Sequence, residues 1–223
     1  MHPRLLSELS EPHRLSGVPY RDGEDHEARS LLTSNGYGVD SDQLIELLEN
    51  ETGILQAAAA RVLGAAHTRN AIAPLERLAH DTGAEETTRV QAAYALARLG
   101  SVDAAELLTG FLVLSPEATP APLQAAGALA RLGDPRGFSG VVEALDSSNP
   151  VTAMVACKQL LAYAWPDGRP LPNDRKVDIY RAFARALNRS EGNIVAEAVV
   201  QLKDLGTAKA LKLLASRGLS REY

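Results

Sequence analysis

Val90-Gln91-Ala92-Ala93-Tyr94-Ala95-Leu96-Ala97-Arg98-Leu99-Gly100 is followed, 33 residues on, by Leu123-Gln124-Ala125-Ala126-Gly127-Ala128-Leu129-Ala130-Arg131-Leu132-Gly133, and the two stretches differ only at Val90/Leu123 and Tyr94/Gly127. One period earlier, residues 57–67 read Ala-Ala-Ala-Ala-Arg-Val-Leu-Gly-Ala-Ala-His, with Leu63 in register with Leu96 and Leu129. A fixed period of this length marks a repeat protein, in which each unit buries its apolar face against the next.

Within a unit, Val90, Ala93, Leu96, Ala97 and Gly100 fall at three-and-four spacing, so they share one face of a helix, and the alanines allow a neighbouring helix to come close. Leu-Gly then ends the helix, Gly133 supplying a left-handed residue at the C-terminus. In Asp134-Pro135-Arg136-Gly137-Phe138, Asp134 is placed to cap a second helix and Pro135 to sit in its first turn. That second helix is expected over 137–146, with Phe138, Val141, Val142 and Leu145 inward. Its counterparts are 70–80, carrying Ile72, Leu75 and Leu78, and 103–114, carrying Leu107, Leu108 and Leu112.

Outward from these units the period weakens. Residues 26–33 and 42–50 read as a degenerate N-terminal pair, with Leu44, Leu47 and Leu48 inward. Asn149-Pro150 opens a helix over 151–164, after which Trp165-Pro166-Asp167-Gly168-Arg169-Pro170-Leu171-Pro172 interrupts the period with three prolines. Helices over 174–187, 194–205 and 208–217 complete the expected array. The organisation is therefore a single repeat domain over 24–217 with an insertion near 165–173, between flexible ends 1–23 and 218–223.

The run Ala-Leu-Ala-Arg-Leu-Gly-Asp-Pro-Arg-Gly, residues 128–137, resembles the core of the HEAT repeat, in the short bacterial form also seen in phycobilisome-lyase-like proteins. The resemblance covers about 54–148. It implies an all-α fold, a right-handed α-α superhelix (a HEAT-like, armadillo-like solenoid) of about five to six helix pairs, used as a protein-binding scaffold. In the family the positions of Asp134 and Arg136 often interlock adjacent turns; Thr68 with Asn70, and Ser101 with Asp103, replace them in the other units.

Composition agrees with helices packed through small side chains: three Phe, six Tyr and one Trp in 223 residues is too few aromatics for a sheet protein of this size. The one cysteine, Cys157, stands in an apolar run and rules out an intrachain disulfide; a buried thiol in a reducing, cytoplasmic setting is expected. Residues 1–8 lack the apolar run of a secretory signal, and no apolar stretch is long enough to span a membrane. Residues 1–150 carry a net charge of −10 and residues 151–223 one of +5.

No catalytic constellation stands out in the sequence. His26-Glu27 resembles the His-Glu pairs of HEAT-fold hydroxylases that bind iron, but such a site needs pairs on several repeats. His67 and His80 fall at helix ends, and Ser139-Gly140 lies within a helix rather than on a nucleophile elbow. No metal, cofactor or catalytic residue is assigned. A chromophore-handling, phycobilin-lyase-like activity is one alternative and would draw on Tyr94, Tyr163, Trp165 and Tyr180. Nucleic-acid binding through a basic final unit, Lys203, Lys209, Lys212 and Arg217, is another. The leading expectation is a non-catalytic adaptor whose second helices line a concave face. Glu46, Glu49, Glu76, Arg77, Glu106, Glu143 and Asp146 would there hold a protein partner through a basic segment, with Trp165 as an anchor on the insertion. Leu211, Leu213, Leu214 and Leu219 are candidates for end-to-end pairing of two copies.

Overall fold

The computed structural model describes residues 22–112, 120–163 and 178–219. Of the ends expected to be flexible, 1–23 and 218–223, residues 1–21 and 220–223 lie outside these residues, as does the insertion with Trp165, while Asp22 and Gly23 open the first helix. The described chain is all-α, and no strand occurs in it. It forms two compact units, 1–110 and 111–223; the expected repeat array, 24–217, runs through both.

The first unit holds α1 (Asp22–Ser34), α2 (Ser41–Asn50), α3 (Gly53–Ala65), α4 (Ile72–His80, entered through a 3-10 turn, Arg69–Ala71), α5 (Glu86–Arg98) and α6 (Ala104–Gly110). The second holds α7 (Pro120–Arg131), α8 (Phe138–Ala144), α9 (Pro150–Leu160, prolonged by a 3-10 turn, Leu161–Tyr163), α10 (Ile179–Ala186), α11 (Gly192–Leu205) and α12 (Ala208–Ala215). In the first unit α3 packs against α1, α2 and α5, and α5 also against α4 and α6. In the second, α9 packs against α7, α8, α10 and α11, and α12 against α10 and α11. First helices are thus enclosed on several sides, and α5 buries Thr88, Val90, Ala92, Ala93, Ala95, Leu96 and Ala97. Second helices keep an outer face in water.

The recurring Leu positions explain the period physically. Leu63, Leu96 and Leu129 are buried, and each also receives a backbone bond that closes its helix: Thr68 N–H donates to the Leu63 carbonyl at 3.1 Å, Ser101 to Leu96 at 3.0 Å, and Asp134 to Leu129 at 2.8 Å. This six-to-one closure requires a left-handed residue just before the donor. Gly100 (φ 86°) and Gly133 (φ 82°) fill that place, and in the first of these turns His67 does so at φ 53°. The same closure ends α1, where Tyr37 N–H donates to Leu32 and Gly36 has φ 83°. The same closure therefore recurs one helix pair before the stretch 57–67.

Several expectations need correction. Asp134 does not cap the second helix. Its carboxylate accepts from the Arg136 backbone N–H (2.9 Å) and pairs with the Arg136 guanidinium (Nε 2.7 Å), while Gly137, at φ 90°, stands at the helix start. Left-handed backbone there turns the chain into α8 without a side-chain cap. The pair thus stiffens one turn internally. The helix expected over 103–114 ends at Gly110, and the one expected over 151–164 ends as a 3-10 turn at Tyr163. Asn149-Pro150 opens a helix as expected: Asn149 accepts from Val151 N–H at 2.9 Å with Pro150 in the first turn.

Candidate protein-interaction surface

The second helices α2, α4, α6 and α8 carry the charged residues singled out in the sequence. Glu46 and Glu49 on α2, Glu76 and Arg77 on α4, Glu106 on α6, and Glu143 with Asp146 at the end of α8 are all exposed, because Leu44, Leu47, Leu48, Leu75, Leu78, Leu108, Val141 and Leu145 take up the opposite faces. The amphipathic spacing that predicted the core predicts this surface too.

These residues are not equivalent. Arg77 reaches from α4 back to Glu49 on α2, its Nη2 lying 2.5 Å from Glu49 Oε1. In the second unit Arg185 of α10 reaches back to Asp146, with Nε 2.9 Å from Oδ1, and Arg217, beyond α12, donates to the Asn188 side chain. An arginine at the end of a second helix thus grips an acid or amide at the end of the preceding one. These exposed bridges hold register and contribute little stability, as surface pairs generally do. In the first unit they leave Glu46 and Glu76 with no partner among the described residues, in a unit of net charge −8.

A stronger polar joint lies between the loops that follow α8 and α10. Arg189, only 16 % exposed, donates to the carbonyls of Leu145 (3.0 Å) and Ser147 (3.1 Å) and pairs with Glu191. That guanidinium, chiefly through its hydrogen bond, holds the Glu191 carboxyl down at about 2. Sequence reading missed both residues because nothing in the local pattern marks a joint between loops 42 residues apart.

The other candidates resolve into packing. Tyr163 is fully buried, its hydroxyl donates to the Ala126 carbonyl at 3.1 Å, with the Arg136 carbonyl at 3.3 Å, and its ring meets Phe138 edge-on at 5.0 Å. Burial raises its pKa. Tyr180 lies beneath Lys209, whose Nζ is 4.2 Å from the ring centre, and shares a hydrogen bond with Thr207, the N-cap of α12. Tyr94 lies under Arg98. Of the basic set Lys203, Lys209, Lys212 and Arg217, Lys209 and Arg217 are thereby engaged in holding α12. Cys157 is buried, and its thiol is pushed up to about 12, chiefly by desolvation, which leaves it unreactive. His26 with Glu27 is exposed on α1, His67 forms the turn described above, and His80 is exposed at the end of α4; among the described residues no three His, Cys, Asp or Glu side chains are grouped to hold a metal. Ser139 is exposed on α8. At the C-terminal end, Leu214 is buried and Leu213 and Leu219 are half-buried, so only Leu211, 51 % exposed, is open.

An all-α architecture of paired helices, closed at a repeated Leu and stacked through small residues, defines a helical-repeat protein. Residues 41–121, from α2 to the start of α7, match the family of HEAT repeats, so this stretch carries HEAT-like repeats. No curated protein matches the chain. HEAT repeats are commonly protein-interaction scaffolds. Among the described residues no helix is long and apolar enough to cross a membrane.

Proposed function

We propose that the protein is a non-catalytic scaffold that holds a protein partner on the second-helix face of its first unit, and that the partner offers a basic segment. The observation that carries this reading is the pair Glu46 and Glu76, exposed on consecutive second helices without partners among the described residues, while Arg77, the one arginine on those two helices, is engaged by Glu49. Rigid helices present these carboxylates at fixed spacing, so little ordering is required on binding. Glu106 extends the row along α6. A phosphate backbone is disfavoured on such a face.

The reading is tested with an amphipathic Leu/Lys helical peptide as probe. Wild-type protein binds it with an affinity that falls as salt rises, and Glu46→Lys with Glu76→Lys lowers the affinity at least ~10-fold at low salt, as expected for removing and reversing two charges. Equal affinity and an unchanged salt response in the double variant would exclude the row as the binding surface.

A further inference from the structure

A second surface has the opposite chemistry. Between α8 and α10 the second unit contains an open cleft of about 570 Å³, of the size that takes a side chain or two of a bound segment. Its apolar part is Phe138 and Val142 from α8 and Ala182 from α10; its polar part is Arg181 and Arg185, four residues apart on α10, with Asn188 just beyond the helix end. Phe138 cannot withdraw, since its ring rests against the buried Tyr163 and its backbone follows the left-handed Gly137.

The charges around the cleft decide what fits it. Arg185 is paired with Asp146 and Asn188 with Arg217. Asp178 also lines the cleft, but one of its carboxylate oxygens is held as the helix cap by the Arg181 backbone N–H at 3.1 Å. Glu143 follows Val142 on α8 and does not line the cleft. The Arg181 guanidinium is exposed and has no partner among the described residues. An arginine at the rim of an apolar cleft is suited to a bidentate bond with a carboxylate, because its planar fork matches the two oxygens and is weakly hydrated for a cation.

We propose that this cleft docks a short segment of a protein partner in which an aliphatic side chain stands next to a carboxylate. The aliphatic group rests on Phe138 and Val142, and the carboxylate pairs with Arg181. The site is separate from the acidic row of the first unit, so Glu46→Lys with Glu76→Lys leaves it intact, and the two surfaces sort partner segments of opposite charge.

Three nonapeptides in a Gly/Ser frame, with Leu-Glu, Leu-Lys or Ser-Glu at the centre, provide the probe. Titrated against full-length protein by NMR, the Leu-Glu peptide shifts amides of 138–144 and 179–188 and binds at least ~10-fold more tightly than the other two, about the worth of one charge-assisted hydrogen bond. Arg181→Gln removes that preference over Leu-Lys, Arg181→Lys retains part of it, and Val142→Ser weakens the Leu-Glu peptide without restoring the Leu-Lys one; unchanged melting of the exposed Arg181 variants shows that the fold is kept. Equal binding of the three peptides, or shifts confined to other helices, overturns the proposal. So does sedimentation showing that Arg181→Gln dissociates a self-associated wild-type chain, since the occupant is then a second copy.

Discussion

His67, Gly100 and Gly133 occupy the same left-handed turn position in successive units, and only His67 carries a side chain there. An L-residue in that conformation is strained by about 1–2 kcal/mol, part of which glycine returns through its freer unfolded chain. His67→Gly should therefore stabilise the fold by about 0.5–1 kcal/mol, and Gly133→Ala should destabilise it by about 1 kcal/mol, both read from urea midpoints. A Cβ on Gly133 would meet nothing within 4 Å, so the second effect is conformational rather than steric. Leucine and glycine at this turn were legible in the sequence because they recur at one spacing. The loop-to-loop joint of Arg189 and Glu191 was not, because it depends on which turns stacking brings together. Glu191 titrates near 2 when folded against an ordinary 4.5. Its stabilising contribution is thus complete above about pH 5 and is lost as pH falls toward about 2. The urea midpoint of the wild type should drop over that interval by more than that of Glu191→Gln, and parallel curves would contradict the assignment.

Helix packing rests on missing side chains. A Cβ on Gly64 of α3 would lie 2.8 Å from both Cα and Cβ of Ala95 on α5, and one on Gly137 would lie 2.7 Å from Ala126 Cβ. Gly137→Ala combines the left-handed strain of Gly133→Ala with an overpacked contact, so it should cost about 2–4 kcal/mol, visibly more than Gly133→Ala in the same assay. Equal losses would show that α8 and α7 are not so closely packed. Tyr163→Phe keeps the edge-on contact with Phe138 and removes the hydroxyl bond to Ala126, for an expected loss of about 1 kcal/mol in urea unfolding. The elements themselves were largely readable: three-and-four spacing gave the helices, and Asn149-Pro150 gave a start. Asp134 misled because the residue that allows the entry into α8 is Gly137, whose positive φ no composition rule distinguishes from a flexible linker. The aromatic residues misled in the other direction, since the hydroxyls of Tyr163 and Tyr180 are fixed by hydrogen bonds 27 or more residues away.

At the scale of the molecule, two compact units carry unlike charge, −8 over 1–110 and +3 over 111–223. The two proposed surfaces follow this division: carboxylates on α2 and α4, and on α10 a guanidinium with no partner among the described residues. Which residues are exposed was legible from amphipathic spacing. Which exposed charges are already satisfied was not, because Glu49 with Arg77 and Asp146 with Arg185 pair across repeats of unequal length. The most direct measurement is the hydrogen-exchange footprint of the Leu/Lys peptide on the wild-type protein. Slowed exchange should fall on 41–50, 72–80 and 104–110, the second helices of the first unit; slowing confined to α1, α3 and α5, or none at saturating peptide, would contradict the assignment of that face as the binding surface.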